Sequence, residues 1–453
     1  MATFDKQIMQ FVTTIWQDFK QGKESIIPMA LWRIAFGLLL VVEAWGAIAT
    51  GWVRKAFIEP KFHFVHRPFD FLQPLEGEGM LYVFIIMGIL GLGVMLGFFY
   101  RISVTAYFFL WTYVYLMQKA SYNNHYYLMV LLLFLMMLMP VHRALSLDAR
   151  AKRVKPSNRI GKWARYTLIA LLLIVYTYAS LNKLYPDWLA AKPLKIWMKA
   201  KADLPIIGPS LQAPWLPKLL AYGGIFFDGL IIPMLLWRRT RWFGVVLALG
   251  FHLANSIIFQ IGIFPYMMIG SMVLFFPPEQ IQRRFFPKRS TEDLVENSPL
   301  SRPMLVLLLS FLVLNILLPL RHHLMPGDVT YTEEGHKMSW RMMLRAKAKA
   351  AEYPSFFEVV DTETGVREPI NPADYLTEKQ LAKVFCLPDM TWQFAQMLKE
   401  DIKRTEHRDV EVYVTCRCSI NGNEAVTMYD ETVDLTSVPY SLFQADDWII
   451  ASK

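Results

Sequence analysis

Leu128-Met129-Val130-Leu131-Leu132-Leu133-Phe134-Leu135-Met136-Met137-Leu138 presents no polar side chain on any face. A surface helix of a soluble protein carries an apolar stripe opposite a polar one, so a run that is apolar all round calls for an apolar solvent. Leu168 to Val175 has the same character, and blocks of this kind crowd the chain before Leu320. Among 453 residues, 54% are hydrophobic and only 19% charged. A span needs about 20 apolar residues. On that basis about nine transmembrane helices are expected, at 27–49, 79–98, 101–119, 124–141, 163–183, 218–237, 241–260, 262–276 and 302–321, the eighth being short. The expected fold class is mainly α, a polytopic helix bundle with a small extracytoplasmic α+β domain.

The net charge of +9 does not indicate nucleic acid, because the basic residues sit in short loops between apolar blocks rather than along one helix face. With the N-terminus cytoplasmic, the inner connections carry Arg101, then the group from Arg143 to Lys162, then Arg238, Arg239 and Arg241, then Arg283, Arg284, Lys288 and Arg289. That is the positive-inside pattern. Nine spans then place residues 327–453 outside the cytoplasm. Connections 50–78 and 184–217, rich in Pro and Trp, are expected to fold back over the bundle.

The N-terminus lacks a short apolar core with a small-residue cleavage site, so no signal peptide is expected. Phe4, Ile8, Phe11, Ile15 and Phe19 recur at helical spacing among Lys6, Asp18 and Lys20, which predicts an interfacial amphipathic helix over 1–26. The bundle is expected over 27–326 and the α+β domain over 327–453. In that domain Phe356 to Val360 with a turn at Asp361 to Gly365 reads as a hairpin, and Asp389 as an N-cap for a helix through Lys403. Val410 to Ile420 alternates as a strand that ends in the tight turn Asn421-Gly422. Cys416 and Cys418 fall on its apolar face and read as small core residues. With Cys386 they make three cysteines, too few for a disulfide framework, and no histidines accompany them at zinc spacing.

Ionisable groups inside a span cost about 3 kcal/mol or more unless paired or hydrated, which makes each a candidate for function. Lys183 ends the fifth span and His125 opens the fourth, both at the extracytoplasmic end, so the two can meet. Lys183 either snorkels to headgroups or serves a buried site; His125 either makes a helix-start hydrogen bond or joins it. Asp228, His252 and Asn255 sit nearer mid-membrane, where pairing with each other or with Arg33 would satisfy their polarity. A lysine in a low-dielectric pocket loses part of its ammonium stabilisation, and the neutral amine is a base. Quinols, with weakly acidic hydroxyls and lipid-soluble tails, suit such a base.

At these residues the sequence resembles the vitamin K-dependent gamma-carboxylase family, whose bundle is the horizontally transferred transmembrane domain. The matching stretches are Gly97 to Ser103, Asn123-Asn124-His125, Asn182-Lys183-Leu184 with Asp187-Trp188, Gly223-Gly224 with Asp228, Phe251-His252 with Asn255-Ser256, and Ile261 to Phe264 with Tyr266-Met267. Ser339 to Met343 and Ser419-Ile420-Asn421 continue it beyond the membrane. The resemblance implies an enzyme that oxygenates reduced vitamin K, the hydroquinone, to its epoxide. Lys183 would be the base and His125 its assistant, with Asn124, Asn182, His252 and Asn255 around the quinol. Oxygenation drives removal of a γ proton from a peptide glutamate, which then takes up CO2; O2 and CO2 are co-substrates, and no metal is implied.

Trp340 matches the tryptophan near the substrate glutamate. Arg345 stands where the animal enzymes have a histidine, and Thr432 where they have an arginine, so epoxidation is the better-supported half and carboxylation is expected to be weak. Partners implied are a lipid-soluble quinol, a glutamate-containing peptide or protein and membrane lipids, with no nucleic acid. The animal enzymes' long C-terminal region for propeptides has no counterpart here, which points to a bacterial inner membrane. The competing class is a non-catalytic transporter or quinone-binding scaffold; a transporter should carry inverted repeats, and none is evident in the sequence.

Overall fold

The computed structural model describes residues 2–205, 207–290 and 300–450. Each of the nine expected intervals holds a helix. Ile27–Ala49, Gly79–Leu96, Lys162–Leu181, Leu216–Leu236, Arg241–Ile258 and Arg302–Leu324 are long and apolar enough to cross a membrane by length and composition. Tyr100–Met117 has the length, but Arg101 and its tyrosines dilute its apolarity. Asn124–Leu138 and Phe264–Phe275 are shorter apolar helices. The outward faces explain why lipid is the solvent: Ile85, Ile86 and Ile89 are 41–57% exposed, Val246 66% and Leu314 64%. Such a surface would aggregate in water.

Bundle geometry is fixed partly by polar clamps. Gly97 has φ of 61°, and a Cβ there would lie 2.4 Å from Ser146 Cβ and 2.5 Å from Arg33 Nη1, so both conformation and space demand glycine. Beside it, the Asp148 carboxylate accepts from Phe99 N and Tyr100 N at 2.9 Å each, filling orphan donors at a helix start. Arg33, expected as a partner for mid-membrane polar groups, instead donates to the carbonyls of Ala144, Leu145 and Met95.

At one end of the bundle Lys23–Ser25 pairs antiparallel with Arg159–Gly161. The Ala2–Gln21 helix precedes it; Phe19 is buried while Ile15 and Trp16 are exposed. The side chains of Phe4, Lys6, Ile8 and Phe11, on which part of the amphipathic expectation rests, lie outside the described residues. At the other end sits the C-terminal region, and the long connections fold onto it. Phe64 belongs to its core, Phe62 stacks on Tyr375, and Asp187 accepts from Asn421 and Asn423.

That region contains two three-stranded antiparallel sheets. Phe356–Asp361 pairs with Arg367–Ile370 as the hairpin pattern predicts, and also with Val410–Thr415. The single strand expected from Val410 to Ile420 is two strands, broken at Cys416, and Arg417–Ile420 joins the other sheet beside Lys347–Lys349 and Val426–Thr427. Asn421 and Gly422 both have positive φ and turn the chain tightly after Ile420. Asp389 is not an N-cap: the Pro388–Glu406 helix is capped at Leu387, and Asp389 stands in its first turn. Cys418 is not a plain core residue either, being disulfide-bonded to Cys386.

Candidate active site

The cavity lies where the bundle meets the C-terminal region, with a volume of about 570 Å³. Its bundle half is lined by Tyr176, Phe251, His252, Asn255, Phe259 and Phe264, together with His125, Lys183 and Asp228. Lys183, His125, Asn124, His252 and Asn255 are thus brought to one space, although they come from separate helices or helix ends.

Lys183 follows the last turn of Lys162–Leu181 and points into the bundle, 8% exposed. Its Nζ lies 2.5 Å from Asp228 Oδ2, donates to Ala179 O at 2.9 Å and sits 5.5 Å from the Trp188 ring centroid. It does not snorkel. The partner expected for Asp228 was His252 or Arg33; lysine takes it instead. His252 Nε2 is 2.9 Å from Tyr176 Oη.

His125 stands in the first turn of Asn124–Leu138, where Asn123 caps Tyr126 N. Its ring packs against Tyr126 and Phe264. Asn124 and Asn182 direct their amides toward the backbone: Asn124 Nδ2 donates to Arg341 O at 3.2 Å and Asn182 Nδ2 to Ser339 O at 2.8 Å. Together they grip the peptide on either side of Trp340. That ring is fully buried against Tyr127, away from the cavity lining, whereas Asn124 also lines it.

The other half of the cavity is basic. Lys119, Lys337, Arg341, Arg345, Lys347 and Lys383 line it against two carboxylates, Glu333 and Asp389. Asp389 is shared by Lys119, at 3.3 Å, and Lys337. Glu333 takes Arg345 at 2.5 Å and Lys347 at 3.2 Å. Burial lowers Lys347 to about 8 in spite of Glu333, and burial with Lys379 and Arg345 nearby lowers Lys383 to about 8. Such a rim is short of anions. Thr432, by contrast, occupies a turn in which its Oγ1 and N bond Asp430, and it does not line the cavity.

Of this rim, sequence reasoning singled out only Arg345 as a substrate-binding candidate. Lys119 at the end of a span was a legible signal, but Lys337, Lys347 and Lys383 lie in polar stretches where a charge is ordinary. It also passed over Glu43, an acid inside the first span, which hydrogen-bonds Tyr126.

Residues 23–279 match the HTTM domain family, and residues 300–453 match the family described as vitamin K-dependent gamma-carboxylase, lumenal domain. No solved structure matches the chain. The two matches cover the bundle and the C-terminal region, and the chain belongs to the vitamin K-dependent gamma-carboxylase family.

Proposed function

We propose that this membrane protein epoxidises a reduced naphthoquinone with Lys183 as base and couples that reaction to carboxylation of a peptide glutamate. The observation that carries the reading is the two-part cavity, apolar with a buried Lys183–Asp228 pair on one side and on the other lined by more cations than Glu333 and Asp389 can neutralise. The apolar half fits a lipid-soluble quinol ring. The chemistry supplied by that bound quinol is oxygenation, which drives removal of the glutamate proton. Lys183 accepts the hydroxyl proton, with Asp228 holding the amine in place and able to take the proton on. His125, Asn255 and His252 border the ring, and Asn124 and Asn182 act by anchoring the segment around Trp340.

Arg345 and Lys383 on the basic half suit a carboxylate, as charge-assisted hydrogen bonds are the strong ones. They offset the arginine lost at Thr432, so weak carboxylation is not required by that replacement. Lys383→Gln is expected to raise KM for a small glutamate peptide about tenfold, since a hydrogen bond to a charged group contributes about 1.5–3 kcal/mol, while epoxidation without peptide changes little. In the parent protein the same KM should climb above about pH 8, where Lys383 and Lys347 lose their protons. A flat profile would argue against carboxylate binding at the rim. Incubating purified protein with vitamin K hydroquinone, O2 and labelled CO2, and assaying epoxide and fixed label in parallel, tests the whole reading; a quinone-binding scaffold would yield neither product.

The orientation proposed places the C-terminal region outside the cytoplasm, in a bacterial inner membrane. The positive-inside count supports it, and so does the Cys386–Cys418 disulfide, because such bonds persist in oxidising compartments. Single cysteines introduced at exposed positions, one in the Arg143 to Lys162 loop and one near Phe443, distinguish the sides. An impermeant maleimide should label the second in intact cells and the first only after lysis; the reverse would overturn the orientation.

A further inference from the structure

The three cysteines play no part in that chemistry, yet their sulfurs all lie within 4.8 Å of one another. Cys386 sits between the Glu378–Val384 and Pro388–Glu406 helices and lines the cavity. Cys418 belongs to the Arg417–Ile420 strand, and Cys416 occupies the break before it. Residues two apart along extended chain share a face, and both side chains are fully buried. Cys386 and Cys418 are joined; Cys416 is a free thiol whose Sγ lies 3.5 Å from Cys418 Sγ.

We propose that Cys386, Cys416 and Cys418 form a thiol–disulfide exchange centre that can release a Cys386 thiol into the cavity. The Cys416 thiolate attacks Cys418 Sγ. A Cys416–Cys418 bond forms as the Cys386–Cys418 bond breaks, and the electron pair leaves on Cys386 Sγ, which takes up the proton that Cys416 gave up. One disulfide and one thiol stand on each side of the step, so no oxidant or reductant is consumed. Cys418 is the target because it is the sulfur in contact with the free thiol. The product is a nucleophilic sulfur on the same wall as Lys383 and Lys347, where a thiol-reactive or quinonoid compound occupying the cavity would meet it.

Exchange needs the thiolate. Burial raises Cys416 to about 11, with Ser355 donating to its sulfur and Lys347 and Lys349 acting in the opposite sense to burial. Tyr429, also buried, lies near it from the segment that follows Val426–Thr427. The centre is therefore slow at neutral pH and accelerates by about tenfold per pH unit below that value, following the thiolate fraction.

The test uses the full-length protein in detergent without added thiol. Samples held at pH 8 and pH 9 are quenched in acid, denatured and alkylated at pH 6, and the free cysteine is located by mass spectrometry. Expected is free thiol divided between Cys416 and Cys386, with the Cys386 share appearing about tenfold faster at pH 9. Cys416→Ala should leave Cys386 linked to Cys418 in every molecule. Free thiol confined to Cys416 at both pH values would overturn the proposal, as would free Cys386 in Cys416→Ala. The distribution in the parent protein decides the matter even if the variant folds poorly.

Discussion

Lys183→Ala is expected to lower epoxide formation by about 10²–10⁴-fold, the usual contribution of a positioned general base. The lysine is the residue whose Nζ combines burial, a carboxylate at 2.5 Å and a place on the apolar half of the cavity. Lys183→Arg should not restore the rate. Guanidinium keeps its proton at any usable pH, so it can preserve the ion pair with Asp228 but cannot act as base. That contrast separates catalysis from structure: a merely structural lysine would be rescued by arginine. Asp228→Asn should fall between the parent protein and Lys183→Ala, because the amine keeps Ala179 O as an acceptor but loses the carboxylate that can take its proton. Normal epoxidation in Lys183→Ala would remove the basis for this assignment.

The helix bundle was legible because apolar runs such as Leu128 to Leu138 have no other stable solvent, and their length sets the number of crossings. Lys183 and His125 were legible for a related reason, since charge inside such runs is costly and draws notice. Their partners were not. Whether Asp228 meets Lys183, His252 or Arg33 depends on how Leu216–Leu236 packs against Lys162–Leu181, which no pattern within either helix records. Beyond Arg345 the basic rim stayed hidden, because Lys337, Lys347 and Lys383 are unremarkable in a polar stretch until folding buries them beside the bundle. Cys386 is 32 residues from Cys418, and three cysteines allow three pairings, so spacing alone could not select one. The break at Cys416 escaped notice because alternation of apolar and polar residues continues through it even though the chain changes sheets.

Glu333→Gln should destabilise the C-terminal region by about 3–5 kcal/mol, the cost of breaking a buried ion network by removing one partner. The Glu333 side chain is 7% exposed and faces Arg345, Lys347 and His336. Burial by itself would raise its carboxyl, but Arg345, Lys347 and His336 outweigh that effect and hold it at about 2, below the ordinary 4.5. Glutamine keeps the shape and a carbonyl acceptor while deleting the charge, so two cations lose their common counter-ion in a low-dielectric place. A group whose value is depressed on folding contributes stability that is fully present above its unfolded value and disappears as pH falls through its folded value. The difference in melting temperature between the parent protein and Glu333→Gln, followed in detergent, should therefore be largest near pH 6 and shrink between about pH 4.5 and pH 2, where the glutamate itself becomes neutral. A difference that stays constant across that window would assign the loss to altered packing instead of charge. Since Glu333 also sets Arg345 on the cavity wall, the variant should raise KM for a glutamate peptide even at a temperature where it remains folded, while Lys183-dependent epoxidation persists.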